Sequence, residues 1–206
     1  MRIYDITHPI RAEIAVWPGD TPFRYTPSLR LRDGDSVNLG AVTMSVHTGT
    51  HADAPYHFSD SGAAIEAVDL SVYIGPALVA DVRGKAIITC ADLANLDFDN
   101  APRLLLSTGG WLDTAQFPAS IPVVAQDVPD FLGEQGVLLF GVDVPSVDAL
   151  DSKTLPNHHG FARNGIAILE SLRLTDIPAG LYELIALPLP LAGSDGSPVR
   201  AILRRP

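Results

Sequence analysis

The chain has 206 residues, 47% hydrophobic and 18% charged, a composition that excludes a disordered segment and suffices for one buried core. Lysine and arginine number 14 against 24 acidic residues, and the net charge of −10 repels phosphate backbones and anionic headgroups, so neither nucleic acid nor a membrane is an expected partner. The single cysteine (Cys90) has no partner for an internal disulfide, the opening MRIYDITHPI lacks a basic-then-apolar signal pattern, and no apolar run has membrane-spanning length; a cytoplasmic protein of one domain, residues 1–206, is expected.

Seventeen glycines and 17 prolines are spread along the chain, which favours many short elements over a few long ones. Strands are predicted at residues 2–6, 39–47, 77–81, 103–107, 123–125, 137–143, 180–186 and 199–203, most of them rich in Val, Ile and Leu and bounded by Gly, Pro or Asp. Helices are predicted at 89–96, where Thr89 is an N-cap and Asp92 approximates a capping box, at 126–132, and at 164–172, where Ile166, Leu169 and Leu172 have helical spacing. Strands interleaved with short helices predict an α/β domain, or a mixed α+β one, with a mixed β-sheet core flanked by short helices.

One stretch concentrates chemistry. His47-Thr-Gly-Thr-His51-Ala-Asp53-Ala-Pro-Tyr-His57-Phe58 holds three of the six histidines and a carboxylate. Two imidazoles and a carboxylate at this spacing are N, N and O donors that suit Zn²⁺ or a similar divalent ion. In an extended strand the Cα atoms of His47 and His51 would stand about 13 Å apart, too far to share an ion. A helix would bring them to about 6 Å, but Thr48, Gly49 and Thr50 are poor helix formers. The segment is therefore predicted to be a strand ending near His47 with a sharp bend at Gly49, and Pro55 then turns His57 back toward the site.

Farther along come Asp143, Ser146, Asp148, Asp151-Ser152-Lys153, the pair His158-His159, and Glu170. The aspartates and serines read as turn formers. One of the two adjacent histidines, with Glu170, supplies donors for a second ion, and side-chain chemistry does not choose between His158 and His159. Near the N-terminus, Trp17-Pro18-Gly19-Asp20 is a turn that leaves Trp17 partly exposed, either under a loop or as an aromatic wall for a planar ligand. His8 reads as structural, and Cys90, with no histidine close in sequence, is not a catalytic thiol.

The string HTGTH-x-D-x-P-x-H resembles the cyclase family of metal-dependent hydrolases. Segments 6–9, 17–20, 143–153 and 198–202 extend that likeness over nearly the whole chain. The compact length and the Asp151-Ser152-Lys153 segment resemble the family's formamidases more than its isatin hydrolases. The resemblance implies a swivelling β/β/α-like fold and a dimeric assembly, here a homodimer. It further implies two divalent ions per chain, with Zn²⁺ expected, His47, His51 and Asp53 on the first, and Asp53 bridging to a second held by His158 and Glu170. His158 is preferred over His159 because the formamidases space that histidine and glutamate twelve residues apart, as here. The resemblance also gives His57 the part of general acid/base and Trp17 contact with an aryl formamide, and Phe23 or Phe58 is expected to pack on the aryl ring beside Trp17. The implied reaction is hydrolysis of N-formyl-L-kynurenine to L-kynurenine and formate; another small amide such as isatin is the alternative substrate. A non-catalytic metal- or small-molecule-binding domain is the alternative of another class.

Overall fold

The computed structural model describes residues 2–205. In chain order its elements are β1 (Arg2–Asp5), β2 (Arg24–Leu29), β3 (Leu39–Thr43), β4 (His51–Asp53), β5 (Ile74–Asp81), β6 (Ile87–Ile88), α1 (Cys90–Leu93), β7 (Arg103–Ser107), β8 (Val123–Val124), α2 (Val128–Glu134), β9 (Leu139–Val142), α3 (Pro156–Arg163), β10 (Ala167–Glu170), β11 (Gly180–Ile185), β12 (Gly196–Pro198) and β13 (Ile202–Arg205). Nine strands form one mixed sheet in the order β1-β13-β11-β5-β7-β9-β10-β4-β12. β5, β7, β9 and β10 run parallel, with antiparallel pairs on both sides. β2 and β3 make a separate hairpin, and β6 with β8 a small parallel pair.

The central strands are buried on both faces, which is why Leu104-Leu105-Leu106 of β7 and Leu139 to Val142 of β9 are consecutive non-polar residues rather than an alternation. Leu104, Leu106, Phe140 and Ile168 face Leu93, Leu132 and Phe161 of the helices. Leu105, Leu139 and Leu169 point the other way, into a core closed by Tyr182, Leu184 and Leu203 of β11 and β13. The sheet thus curls round an apolar interior of its own, and each fully buried Leu or Phe in it contributes roughly 1.5–3 kcal/mol. The expected mixed sheet with short flanking helices, in one domain, is the observed architecture. No helix among the described residues is long and apolar enough to cross a membrane.

Several local expectations change. Residues 164–172 are not helical: β10 occupies the middle of that stretch, with Ile168 facing the helices and Leu169 the curled interior. A short strand buried on both sides shows no period-two signal, so its leucines mimic helical spacing. The helix lies just upstream as α3, and Pro156 in its first turn is the signal that marks it. The strand expected at 39–47 stops at Thr43, and the one at 199–203 is displaced to β13, with Val199 in a single bridge to Pro188. The helix predicted over 89–96 is the single turn α1, where the Asp92 carboxylate accepts the Thr89 backbone N–H at 2.9 Å.

Candidate functional site

β4 is short, yet it carries the centre of the site. Successive side chains of a strand alternate, so His51 and Asp53 share one face while Ala52 turns into the apolar interior, fully buried. β4 pairs antiparallel with β10 in a register that sets Glu170 opposite His51, on the same face. On its other side β4 pairs with β12, Gly196 standing opposite Asp53. The chain reaches β4 through a turn in which Gly49 has φ of 67°, the bend the sequence calls for, and the rings of His47 and His51 come to 4.8 Å between centroids. Thr50 ties this bend down by donating to the Ser171 carbonyl at 2.6 Å and accepting the His8 N–H at 3.0 Å. His158 comes from the first turn of α3, whose N–H groups at Asn157 and His158 are received by Asp148.

The donor atoms converge. Asp53 Oδ1 lies 3.1 Å from His47 Nδ1 and 3.3 Å from His51 Nε2. Asp53 Oδ2 lies 3.5 Å from His158 Nε2, which is also 3.5 Å from Glu170 Oε1. The two oxygens of one buried carboxylate therefore face two donor triads, His47-His51-Asp53 and Asp53-His158-Glu170. His159 is exposed on the other side of the turn, so the structure brings His158 to the cluster and leaves His159 out. His57 lies beside the first triad, its ring 4.1 Å from that of His47.

The unliganded face of each imidazole is held. His51 Nδ1 donates to the Gly49 carbonyl at 2.8 Å, His158 Nδ1 to Asp148 Oδ2 at 2.7 Å, and His47 Nε2 to Asp195 Oδ2 at 3.0 Å. In the neutral rings those bonds fix the tautomers, so that His51 Nε2, His158 Nε2 and His47 Nδ1 turn inward as the atoms free to bind a cation. His51 Nε2 and both Asp53 oxygens are buried without a hydrogen-bond partner. Orphaned buried polar atoms are costly, and donors about 3.4 Å apart are what a four-coordinate ion with ligands at about 2.0–2.2 Å requires. The residues fit a divalent metal.

Electrostatics agree with that fit. Burial alone would depress His51, but its contacts with Asp53 and Glu170 win and raise it to about 10. His158 is likewise disfavoured by burial and then pushed up to about 12 by Asp148, Asp53 and Glu170. Burial would raise Asp53, yet His158, His47 and His51 hold its carboxyl well below the usual range. A cation therefore competes with protons for these imidazoles, and its affinity falls in acid.

Above the cluster opens a cavity of about 500 Å³, within the range of small-molecule sites. Trp17, Trp111 and Phe117 form its aromatic side; Trp17 is 41% exposed and meets Phe117 edge-on at 5.2 Å between centroids. Phe23 and Phe58 do not line it. Phe58 instead packs on the His158 and His159 rings. Among the described residues, the two non-glycine positions with positive φ, Leu155 at 44° and Ser171 at 56°, also line the cavity, one just before α3 and one just after Glu170. Strain of about 1–3 kcal/mol at each is characteristic of functional positions.

Other singled-out residues have plain roles. Asp143 ties β7 to β9 by accepting the Thr108 and Gly109 N–H groups. His8 is buried beside Trp111, and burial holds its imidazole down to about 4. Burial and Asp127 push the Cys90 thiol up, the direction of an unreactive cysteine. Asp148, which reads in the sequence as a turn former, also orients His158; Asp195, in a Ser-Asp-Gly turn, carries no signal in the sequence.

The Cyclase family model ("Putative cyclase") matches residues 4–149. The chain is 48% identical over 200 residues to the kynurenine formamidase of Bacillus cytotoxicus, covering 97% of this chain and 96% of that protein. Among solved structures, a "potential metal-dependent hydrolase with cyclase activity" superposes with a TM-score of 0.84 at 30% identity, covering 100% of this chain and 99% of the other. Isatin hydrolase A of Labrenzia aggregata shares the fold, with a TM-score of 0.83 at 24% identity over 98% of this chain and 93% of that one.

Proposed function

The chain belongs to the cyclase family, and from that premise we propose that it hydrolyses N-formyl-L-kynurenine to L-kynurenine and formate at a centre of two divalent ions. The observation that carries this reading is the pair of donor triads sharing Asp53, with buried atoms that lack any other partner, at the floor of an aromatic cavity. The proposed ligands are His47, His51 and Asp53 for one ion and Asp53, His158 and Glu170 for the other, with Zn²⁺ the metal that mixed N and O donors at this spacing favour. Bound there, the ions supply Lewis acidity toward the formyl oxygen and lower the pKa of solvent water from 15.7 to about 7.

The chain's own residues do the rest. His57 Nδ1 donates to Asp195 Oδ2 at 3.3 Å, which leaves Nε2 to accept a proton from the attacking water and pass it to the departing aniline nitrogen. Amide resonance makes that nitrogen a poor leaving group until it is protonated. Trp17, Trp111 and Phe117 flank the space for the aryl ring, and their bulk excludes water from one side of the site. Replacing Trp17 with alanine is expected to raise KM for N-formyl-L-kynurenine about 10-fold with kcat little changed, as the loss of roughly 1.5 kcal/mol of ring contact requires. Steady-state kinetics on the variant check this, and an unchanged KM would make Trp17 a packing residue.

The deciding assay is formation of kynurenine from N-formyl-L-kynurenine by the metal-loaded and chelator-treated protein, with isatin as the competing substrate. Chelator-sensitive turnover of the formamide supports the reading. Preference for isatin, or full activity without metal, would overturn it. The same reading includes a cytoplasmic homodimer. The lone Cys90 favours a reducing compartment. The β2–β3 hairpin exposes Tyr25, Leu31, Leu39 and Val42, each more than half accessible, and a second copy is the natural cover for such a face. Sedimentation at twice the chain mass, reverting to the monomer in Val42→Lys, is the expected result; a wild-type monomer would exclude the dimer.

A further inference from the structure

Asp195 stands where the chain enters β12, the outermost strand beside β4. The Asp195 carbonyl accepts the Ala54 N–H at 2.9 Å, and the neighbouring Gly196 pairs with Asp53. This backbone runs close under the site: a Cβ on Gly196 would lie 2.9 Å from His47 Cε1. From this fixed position a single oxygen, Oδ2, meets two imidazoles, 3.0 Å from His47 Nε2 and 3.3 Å from His57 Nδ1. Gly49 and Asp148 each hold one ring; Asp195 holds two.

A neutral imidazole carries one N–H, and a carboxylate only accepts. The nitrogen facing Asp195 therefore keeps the proton on each ring, and the opposite nitrogen is bare. For His47 the bare atom is Nδ1, the one 3.1 Å from Asp53 Oδ1. For His57 it is Nε2. We propose that Asp195 is a positioning residue for both halves of the reaction, setting His47 in the tautomer that can ligate a divalent ion and His57 in the tautomer that can take up a proton. The inference rests on the reading of His47 as a ligand and His57 as the proton carrier. It adds a coupling that reading does not contain: one carboxylate makes metal affinity and proton transfer depend on the same side chain.

The test uses the full-length metal-loaded protein and the variants Asp195→Ala and Asp195→Asn. Zinc affinity is measured by competition with a chromophoric chelator, kinetics are measured at saturating zinc, and ring ¹⁵N spectra report which nitrogen of His57 carries the proton. Asp195→Ala is expected to weaken zinc binding about 10- to 100-fold and to lower kcat by a similar factor with KM nearly unchanged. It should also shift the His57 proton from Nδ1 toward Nε2. In a His57→Ala background the same substitution should leave kcat at saturating zinc within about twofold, because the ring it orients is gone. The asparagine variant, with a single acceptor oxygen, should fall between wild type and alanine, and it preserves the test if alanine unfolds the edge strand. Unchanged zinc affinity, or an equal loss of kcat with and without His57, would overturn the proposal. A wild-type protein that binds no metal, or a fully active His57→Ala, would instead overturn the reading beneath it.

Discussion

Asp53→Ala is expected to lose both metal ions and to lower turnover by about 10³-fold or more. Asp53 is the residue common to both donor triads, one carboxylate oxygen standing in each. Lewis-acid stabilisation is worth several kcal/mol, and at about 1.4 kcal/mol per tenfold in rate that sets the size of the loss. The substitution also removes the anion that His51 and His158 share, and breaking such a buried pair costs about 3–5 kcal/mol when the remaining charge stays buried. These imidazoles can shed their protons instead, which moves the stability cost toward the lower end. The folded pKa of Asp53 lies below the ordinary 3.8, so its contribution is present above that pH and fades as pH falls through the folded value. Wild type and variant should therefore converge in acid when unfolding is followed without metal. Metal analysis, kinetics and denaturant melts of Asp53→Ala and Asp53→Asn check these points together; a variant that keeps two ions and normal turnover would remove the shared carboxylate from the centre.

Much of this centre is legible before folding because its first half is local. His47, Gly49, His51 and Asp53 lie within one bend and one three-residue strand, and the geometric conflict between a straight strand and a shared ion already demands a turn at Gly49. The second half depends on register. Glu170 reaches the site only because β10 pairs with β4 so that it faces His51, and no spacing within β10 encodes that pairing. The apolar Ala-Ile-Leu run there is compatible with helix or strand, and tertiary burial on both sides decides. His158 separates from His159 for a similar reason: within α3 the two point to different sides, and only Asp148 across the turn shows which one is turned inward. Asp195 is 148 residues from His47 and sits in a sequence that looks like any polar turn, so nothing short of the sheet order β10-β4-β12 discloses it.

His57→Ala is expected to lower kcat by about 10²–10⁴-fold while both ions stay bound. The expectation follows from where the ring stands. Its contact to Asp195 at 3.3 Å and its position on the cavity wall place it next to the reacting groups, but neither Asp53 nor Glu170 is within bonding distance of it. A ligand would behave differently, since its loss would empty the site and take the metal content with it. His57 also belongs to a grouping with His47 and Asp195 that has metal-like spacing, and the measured metal content of the alanine variant separates the two roles. Its side chain is 32% accessible, so removing it opens a ring-sized space to solvent rather than a sealed void. Added imidazole should enter that space and restore part of kcat in a saturable manner, a rescue that a packing defect would not show. Near-normal turnover in the variant would take His57 out of the reaction. Loss of one ion per chain would make it a ligand, and the proton would then have to leave through another group.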